Sequence, residues 1–197
     1  MACREFFEAL PEEREKLKER CRLIDNEHPN AVCELESVSA TSPGIVKNEE
    51  FAHRFVFSPI HMDGELIKSS FFSDCQHGGL SCQRGSGKDV APEVHDRGIA
   101  MVNKWNDDNA EDQTKAQRTY LGVVTAQVSK IRNLIPHPDA GETAGTYEQQ
   151  MMAVYDTSKR GDEEHIDVFQ LSVERKRSEL KQARRDLALV FTRKPVH

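Results

Sequence analysis

Near the amino terminus, Phe6, Leu10, Leu17, Cys21 and Ile24 recur at helical intervals and share one face. They predict a helical segment within residues 1–35, which Pro11 kinks or starts afresh. Glu12 and Lys16, one turn apart, form a favourable pair. Asn26, His28, Pro29 and Asn30 end the segment, and residues 36–50 read as a Ser/Thr/Pro/Gly loop. The period then changes. Phe51, His53, Phe55 and Phe57 alternate with Ala52, Arg54, Val56 and Ser58, predicting a strand over Phe51–Ile60 that Ser58-Pro59 ends.

Asp63-Gly64 marks a turn, and Leu80–Gln83 predicts a second short strand before a Gly-Ser-Gly-Lys loop. Ile99–Trp105 suits a short helix, and Asn106–Lys115 is too polar to bury. Tyr120–Ile131 and Gln150–Tyr155 read as strands, with Pro136–Gly145 a loop between them. In the last part Ile166, Phe169, Val173, Leu180, Ala183, Leu187 and Val190 fall at helical intervals behind Asp162, a good N-cap. They predict one amphipathic helix over 163–191. The whole predicts a single α+β domain over 1–197. A small, mostly antiparallel sheet within 51–160 is packed by the long C-terminal helix, with the N-terminal helical segment alongside.

Composition narrows the function classes. Hydrophobic residues make up 37% and charged residues 30%, as in a polar-surfaced globule. No run nears the ~18 apolar residues that cross a bilayer. Met1-Ala2-Cys3-Arg4-Glu5 lacks the basic-then-apolar order of a secretory signal, so the cytoplasm is the expected compartment. Five irregularly spaced cysteines are then expected as reduced thiols. The net charge of −6 is uneven, because eight basic residues face three acids from Glu174 to His197. Arg175, Arg177, Lys181, Arg184 and Arg185 lie off the apolar stripe, an ordinary solvated face or a dock for phosphates or an acidic protein. The acidic body argues against sequence-specific nucleic-acid reading.

Several motifs fail on inspection. Cys75-x-His77-x4-Cys82, with His61 or Cys33 as a fourth ligand, matches no common zinc spacing, so no metal ligand is assigned. Gly85-Ser86-Gly87-Lys88 lacks the glycine and hydroxyl of a phosphate loop, having Cys82 and Asp89 there. Neither a Gly-x-Ser-x-Gly elbow nor His-Glu-x-x-His occurs. What remains is the polar density of Phe51–Arg84 and one late histidine. His61 follows the first strand, Arg84 could grip an anion with two parallel bonds, and His165 falls in the expected helix's first turn. His61 and His165 are the candidate catalytic residues; Arg84, Arg54 and Ser81 are the candidate ligand-binding ones. Against this stands a structural role, with the histidines as capping or loop residues and Arg84 as an ion-pair partner.

The blocks Ser69-Ser70-Phe71-Phe72, Gly79-Leu80-Ser81 with Arg84, and Asp156-Thr157 with Glu164-His165-Ile166 are similar to blocks in small bacterial or phage proteins of unassigned function. The resemblance spans roughly 51–170 and implies a prokaryotic, intracellular setting but no activity. The Arg-bearing strand, Gly-Leu-Ser run and later helix are similar to ADP-ribosyltransferase folds, whose Tyr or Glu signature lacks a counterpart here. Two functions are therefore expected. The first is an enzyme or sensor for a phosphate-bearing small molecule, a nucleotide or NAD-like compound, with His61, Arg84 and His165 in one cleft. The second is a non-catalytic module whose basic C-terminal helix binds an acidic protein or a second copy. No cofactor is assigned.

Overall fold

The computed structural model describes residues 1–11, 16–135, 150–172, 175–192 and 195. The expected loop over Pro136–Gly145, the Glu12–Lys16 pair and the stripe residue Val173 fall on or reach into positions outside the described residues. Helices α1 (Cys3–Glu8) and α2 (Arg20–Glu27) open the chain. Strand β1 (Phe51–Ser58) leads through the hairpin β2 (Met62–Asp63) and β3 (Leu66–Ile67), turned at Asp63-Gly64 as expected. A 3-10 segment, Ser69–Gln76, then enters β4 (Leu80–Gly85). Helix α3 (Pro92–Asp108), strand β5 (Thr119–Gln127) and the short helix α4 (Val128–Arg132) follow. The chain continues with β6 (Met152–Tyr155), β7 (His165–Gln170) and α5 (Arg177–Val190).

Among the described residues five strands form one sheet in the order β5–β1–β4–β7–β6, every neighbouring pair antiparallel. The fold is α+β. Its period-2 alternation sorts side chains onto two faces. On the first, Ala52, Val56, Leu80, Cys82, Val124, Ile166 and Val168 share a core with Phe71 and Phe72 of the 3-10 segment and Ala183 and Leu187 of α5. On the second, Ala153, Tyr155 and Phe169 at one edge pack with Phe7, Cys21 and Ile24 of the N-terminal helices. Helix α3 covers the opposite edge, lying so close to β5 that a Cβ at Gly98 would meet the Tyr120 ring at 2.5 Å. Between these two covers the middle of the second face is open. No helix among the described residues is long and apolar enough to cross a membrane.

Two expectations are corrected. The C-terminal helix does not run from 163, because His165–Gln170 is a strand and α5 begins at Arg177. The apolar positions of this stretch satisfy both periods. Ile166 and Val168 face the first core while Phe169 and Leu171 face the second, so a strand buries both sets and a helix would bury only one. His165 therefore sits on a strand, not at a helix end. The buried Gln170 side chain ties β7 to α5, donating to Leu180 O at 2.7 Å and accepting from Arg184 at 2.8 Å. That contact removes Arg184 from the solvated basic face, while Arg177, Lys181 and Arg185 remain exposed on it. The second correction concerns the cysteines. Cys3 and Cys33 are joined as a disulfide, and Cys21, Cys75 and Cys82 are buried thiols.

His53 shows what burial does to a titrating group in this sheet. Its ring is fully enclosed, with Nδ1 2.9 Å from Thr125 Oγ1 and Nε2 lacking a partner among the described residues. Burial, helped by the nearby His95, lowers its pKa from 6.5 to about 4. The unfolded chain thus takes up a proton before the folded one does. The stabilising contribution is complete above pH 6.5 and is lost as pH falls toward 4. At 1.36 kcal/mol per pKa unit this amounts to roughly 3 kcal/mol. Thermal unfolding of wild type and His53→Gln across pH 8 to 4 should show the steeper acid-side loss in wild type. Parallel curves would contradict this account of His53.

Candidate functional site

The open middle of the second face forms a cleft of about 650 Å³, a size suited to a small molecule. Its floor is built by three adjacent strands, with Phe55 from β1, Ser81 and Gln83 from β4, and His165 and Asp167 from β7. Met101 of α3 forms one wall, and Leu17, Lys18 and Arg20 with Gly78 and Gly79 form the other. Ser81 lies opposite Asp167 in the antiparallel register, and Gln83 opposite His165. Ser81 and His165 are therefore diagonal neighbours on one face, where long side chains meet.

They do meet. Ser81 Oγ and His165 Nε2 are 2.7 Å apart. The other ring nitrogen, Nδ1, is 3.1 Å from the backbone carbonyl of Thr157 and 3.1 Å from Thr157 Oγ1. A carbonyl only accepts, so Nδ1 carries the proton and Nε2 is left to accept from the serine hydroxyl. Thr157 Oγ1 in turn donates to Asp167 Oδ2 at 2.8 Å, and that oxygen lies 4.0 Å from Nδ1. Serine, histidine, threonine and aspartate thus form a continuous relay, with the threonine between imidazole and carboxylate. Asp156, buried beside Thr157, fixes the strand exit by accepting from the backbone N–H of Val38 at 2.9 Å and from the Ser37 hydroxyl. This arrangement can withdraw a proton from Ser81 as its oxygen attacks an electrophile.

A scan of protein-family models finds no match to this chain, and searches of curated proteins and of solved structures find none either. The site therefore rests on its geometry.

The other candidates lie elsewhere. Arg84 is on the core face, its guanidinium bound to Glu50 at 2.7 Å and to the carbonyls of Gly44 and Ile45 at 2.7 and 3.1 Å. Arg54, also buried, donates to Ser81 O at 3.0 Å, Phe71 O at 2.9 Å and Asp74 at 3.0 Å, stacked over the Phe71 ring. The positions where these two guanidiniums bind protein are those expected to bind ligand. His61 packs between the rings of Phe57 and Phe71, and its Nδ1 accepts the Phe57 backbone N–H at 3.0 Å. Burial, then the positive charges of Arg54, Arg118 and Lys68, lowers its pKa to about 3, so it is neutral near pH 7. Neither His61 nor Arg84 lines the cleft, and the expected grouping of His61, Arg84 and His165 does not form. Cys75 and Cys82 sit in the core, where burial pushes both thiols up to about 12, the wrong direction for a nucleophile.

Sequence reasoning missed Asp167 and Thr157. The signal was the alternation of His165, Asp167 and Phe169, which a helical reading of the same residues conceals.

The charges around the cleft are unequal in their freedom. Asp74 is held by Arg54, Asp162 by Arg97 and Gln83, and Asp167 by Thr157. On the cationic side, Lys18 is exposed and Lys159 borders the opening. The Nε of Arg20 is buried with no hydrogen-bond partner among the described residues. The lining thus carries three cationic side chains, Lys18, Arg20 and Lys159, and three carboxylates, Asp74, Asp162 and Asp167.

Gly79, at the head of β4, sets the distance between the cleft wall and the relay. Its φ of +102° disfavours any side chain, and a Cβ there would lie 2.7 Å from the Phe169 ring and 2.9 Å from the Asp167 side chain. Gly64 has φ +59° but open space around it. Gly79→Ala should therefore cost more than Gly64→Ala in urea unfolding, roughly 2–3 kcal/mol against about 1. Equal costs would mean that Asp167 can move aside freely.

Proposed function

We propose that the chain is an enzyme acting on a phosphate-bearing small molecule, a nucleotide or NAD-like compound, with Ser81 as nucleophile and His165 as its base. The observation that carries this reading is the 2.7 Å contact between Ser81 Oγ and His165 Nε2 in a cleft whose lining includes Lys18 and Arg20. In the first step Ser81 Oγ bonds to phosphorus and the bond from phosphorus to the leaving oxygen breaks. The hydroxyl proton passes to His165 Nε2 and then to the leaving group. In the second step His165 takes a proton from water, whose oxygen displaces Ser81 from phosphorus and restores the hydroxyl. Cationic side chains, rather than the imidazole, meet the charge that collects on the phosphoryl oxygens.

Asp167 acts through Thr157 and is a positioning residue. A cytoplasmic, bacterial setting belongs to the same proposal. In a reducing compartment the Cys3–Cys33 bond would open, and nothing in the cleft depends on it directly. A non-catalytic module docking an acidic protein or a second copy on Arg177, Lys181 and Arg185 is the competing reading, and it leaves the relay without a task.

Hydrolysis of p-nitrophenyl phosphate and bis-p-nitrophenyl phosphate should be measured beside melting shifts with nucleotides, NAD and ADP-ribose. Ser81→Ala and His165→Ala should each lower kcat by about 10²–10⁴-fold. Arg20→Ala should mainly raise KM. A melting shift that Arg20→Ala abolishes, without turnover, would make the cleft a sensor. Neither turnover nor shift would leave the interaction module.

A further inference from the structure

Away from the cleft, three side chains able to hold a soft metal converge among the N-terminal helices. Cys3 opens α1, His28 follows the end of α2, and Cys33 lies in the 3-10 segment Pro29–Leu35. Their ligand atoms all lie within 4.8 Å of one another. Cys3 Sγ and His28 Nδ1 are 3.8 Å apart. Two ligands of one tetrahedral zinc stand about 3.5–3.8 Å apart, given the usual zinc–sulfur and zinc–nitrogen lengths. Both cysteines are buried. The His28 Nε2 is buried too, without a partner among the described residues, and the ring edge rests on Phe6. That leaves Nδ1, aimed at the sulfurs, as the nitrogen able to bind.

The backbone supports the same convergence. Asn30 and Ala31 both take the left-handed conformation, with φ of 58° and 57°. Alanine avoids it at a cost of roughly 1–2 kcal/mol. This turn brings Cys33 back to His28 within a short loop, and the next residue locks it. Buried Glu34 accepts from Arg132 at 2.8 Å, from Gln150 at 3.0 Å and from the backbone N–H of Val154. The cluster is thus anchored to β6 whatever the state of the sulfurs.

As the structure stands, the two sulfurs are bonded to each other and neither is a thiolate. We infer that Cys3, His28 and Cys33 form a zinc site that becomes available when a thiol reductant opens the disulfide. A dithiol supplies two electrons and two protons, becomes a disulfide itself, and leaves Cys3 and Cys33 as thiols. Zinc then displaces those two protons to solvent, binding both thiolates and the neutral His28 Nδ1, with water in the fourth position. Either chemistry, disulfide or metal, ties α1 to the 29–35 segment. The N-terminal cover of the sheet is then held in oxidising and reducing surroundings alike. Cys21, Cys75 and Cys82 are not part of this grouping, and Cys21 Sγ instead donates to Gln170 O.

The test is zinc uptake by the full chain, stripped of metal, before and after reduction with a dithiol that is then removed without oxygen. One zinc per chain is expected after reduction and none before. Uptake should survive simultaneous Cys21→Ser, Cys75→Ser and Cys82→Ser replacement, and vanish in Cys3→Ser with Cys33→Ser. His28→Ala should weaken it by more than the ~10–100-fold that loss of an outer partner costs. Because these variants could fold poorly, cobalt(II) added to reduced wild type gives a second readout, a thiolate-to-metal charge-transfer band with tetrahedral visible absorption. No uptake by the reduced chain, equal uptake by the oxidised chain, uptake persisting in the Cys3/Cys33 double variant, or a cobalt spectrum without thiolate bands would each overturn the inference.

Discussion

The guanidinium of Arg54 is the constraint on which the cleft depends. It sits on the apolar face of β1, where an unpaired charge would cost several kcal/mol, so its donors dictate what surrounds them. Strand β1 pairs with β4 from Phe51 to His53, and beyond them the Arg54 side chain takes the carbonyl of Ser81. Its remaining bonds, to Phe71 O and Asp74, seat the Ser69–Gln76 segment on the first core. That segment delivers the chain to Gly78 and Gly79, the wall of the cleft on the opposite face. Asp74 is largely exposed, so the carbonyls rather than the ion pair carry most of the anchoring. Arg84 repeats the device at the other end of β4, gathering Glu50, Gly44 and Ile45. Ser81 is thus held between two buried arginines, neither of which faces the cleft.

This also explains what could and could not be read from the residues. The alternation of Phe51–Ser58 and the turn at Asp63-Gly64 are local, and local patterns predict them. The stretch from Ile166 to Leu171 satisfies helical and strand periods at once, and only its partners β4 and β6 decide between them. Ser81 and His165 were both visible as candidates, but their contact is a register property linking residues 84 positions apart. Arg54 and Arg84 drew attention through the polar density of Phe51–Arg84 and, for Arg84, the ability to grip an anion with two bonds. A sequence does not say whether a buried guanidinium serves loop carbonyls or a ligand. The Cys3–Cys33 bond spans 30 positions and depends on how two helical segments fold back, which odd numbering and spacing cannot reveal.

The relay beneath Ser81 differs from a direct serine–histidine–aspartate arrangement, and the difference bears on the chemistry proposed for it. Where a carboxylate bonds the imidazole directly, one group both fixes the tautomer and faces the imidazolium. Here those tasks are split. The Thr157 carbonyl fixes the tautomer, and it does so without carrying charge. Asp167 stands 4.0 Å from Nδ1 and attracts the imidazolium across space, its own oxygen already accepting from the Thr157 hydroxyl. Less of the developing charge is met at the histidine, so more must be met at the substrate. An electrophile that brings its own negative oxygens to Lys18 and Arg20 satisfies that requirement, and a neutral ester does not. The same reasoning links the cleft to its walls, because Arg20 opens α2, and α2 is positioned by the N-terminal packing of Ile24 and Cys21 against Phe169 and Tyr155. Placement of Arg20 in the cleft lining therefore rests on the core that the N-terminal helices share with the sheet.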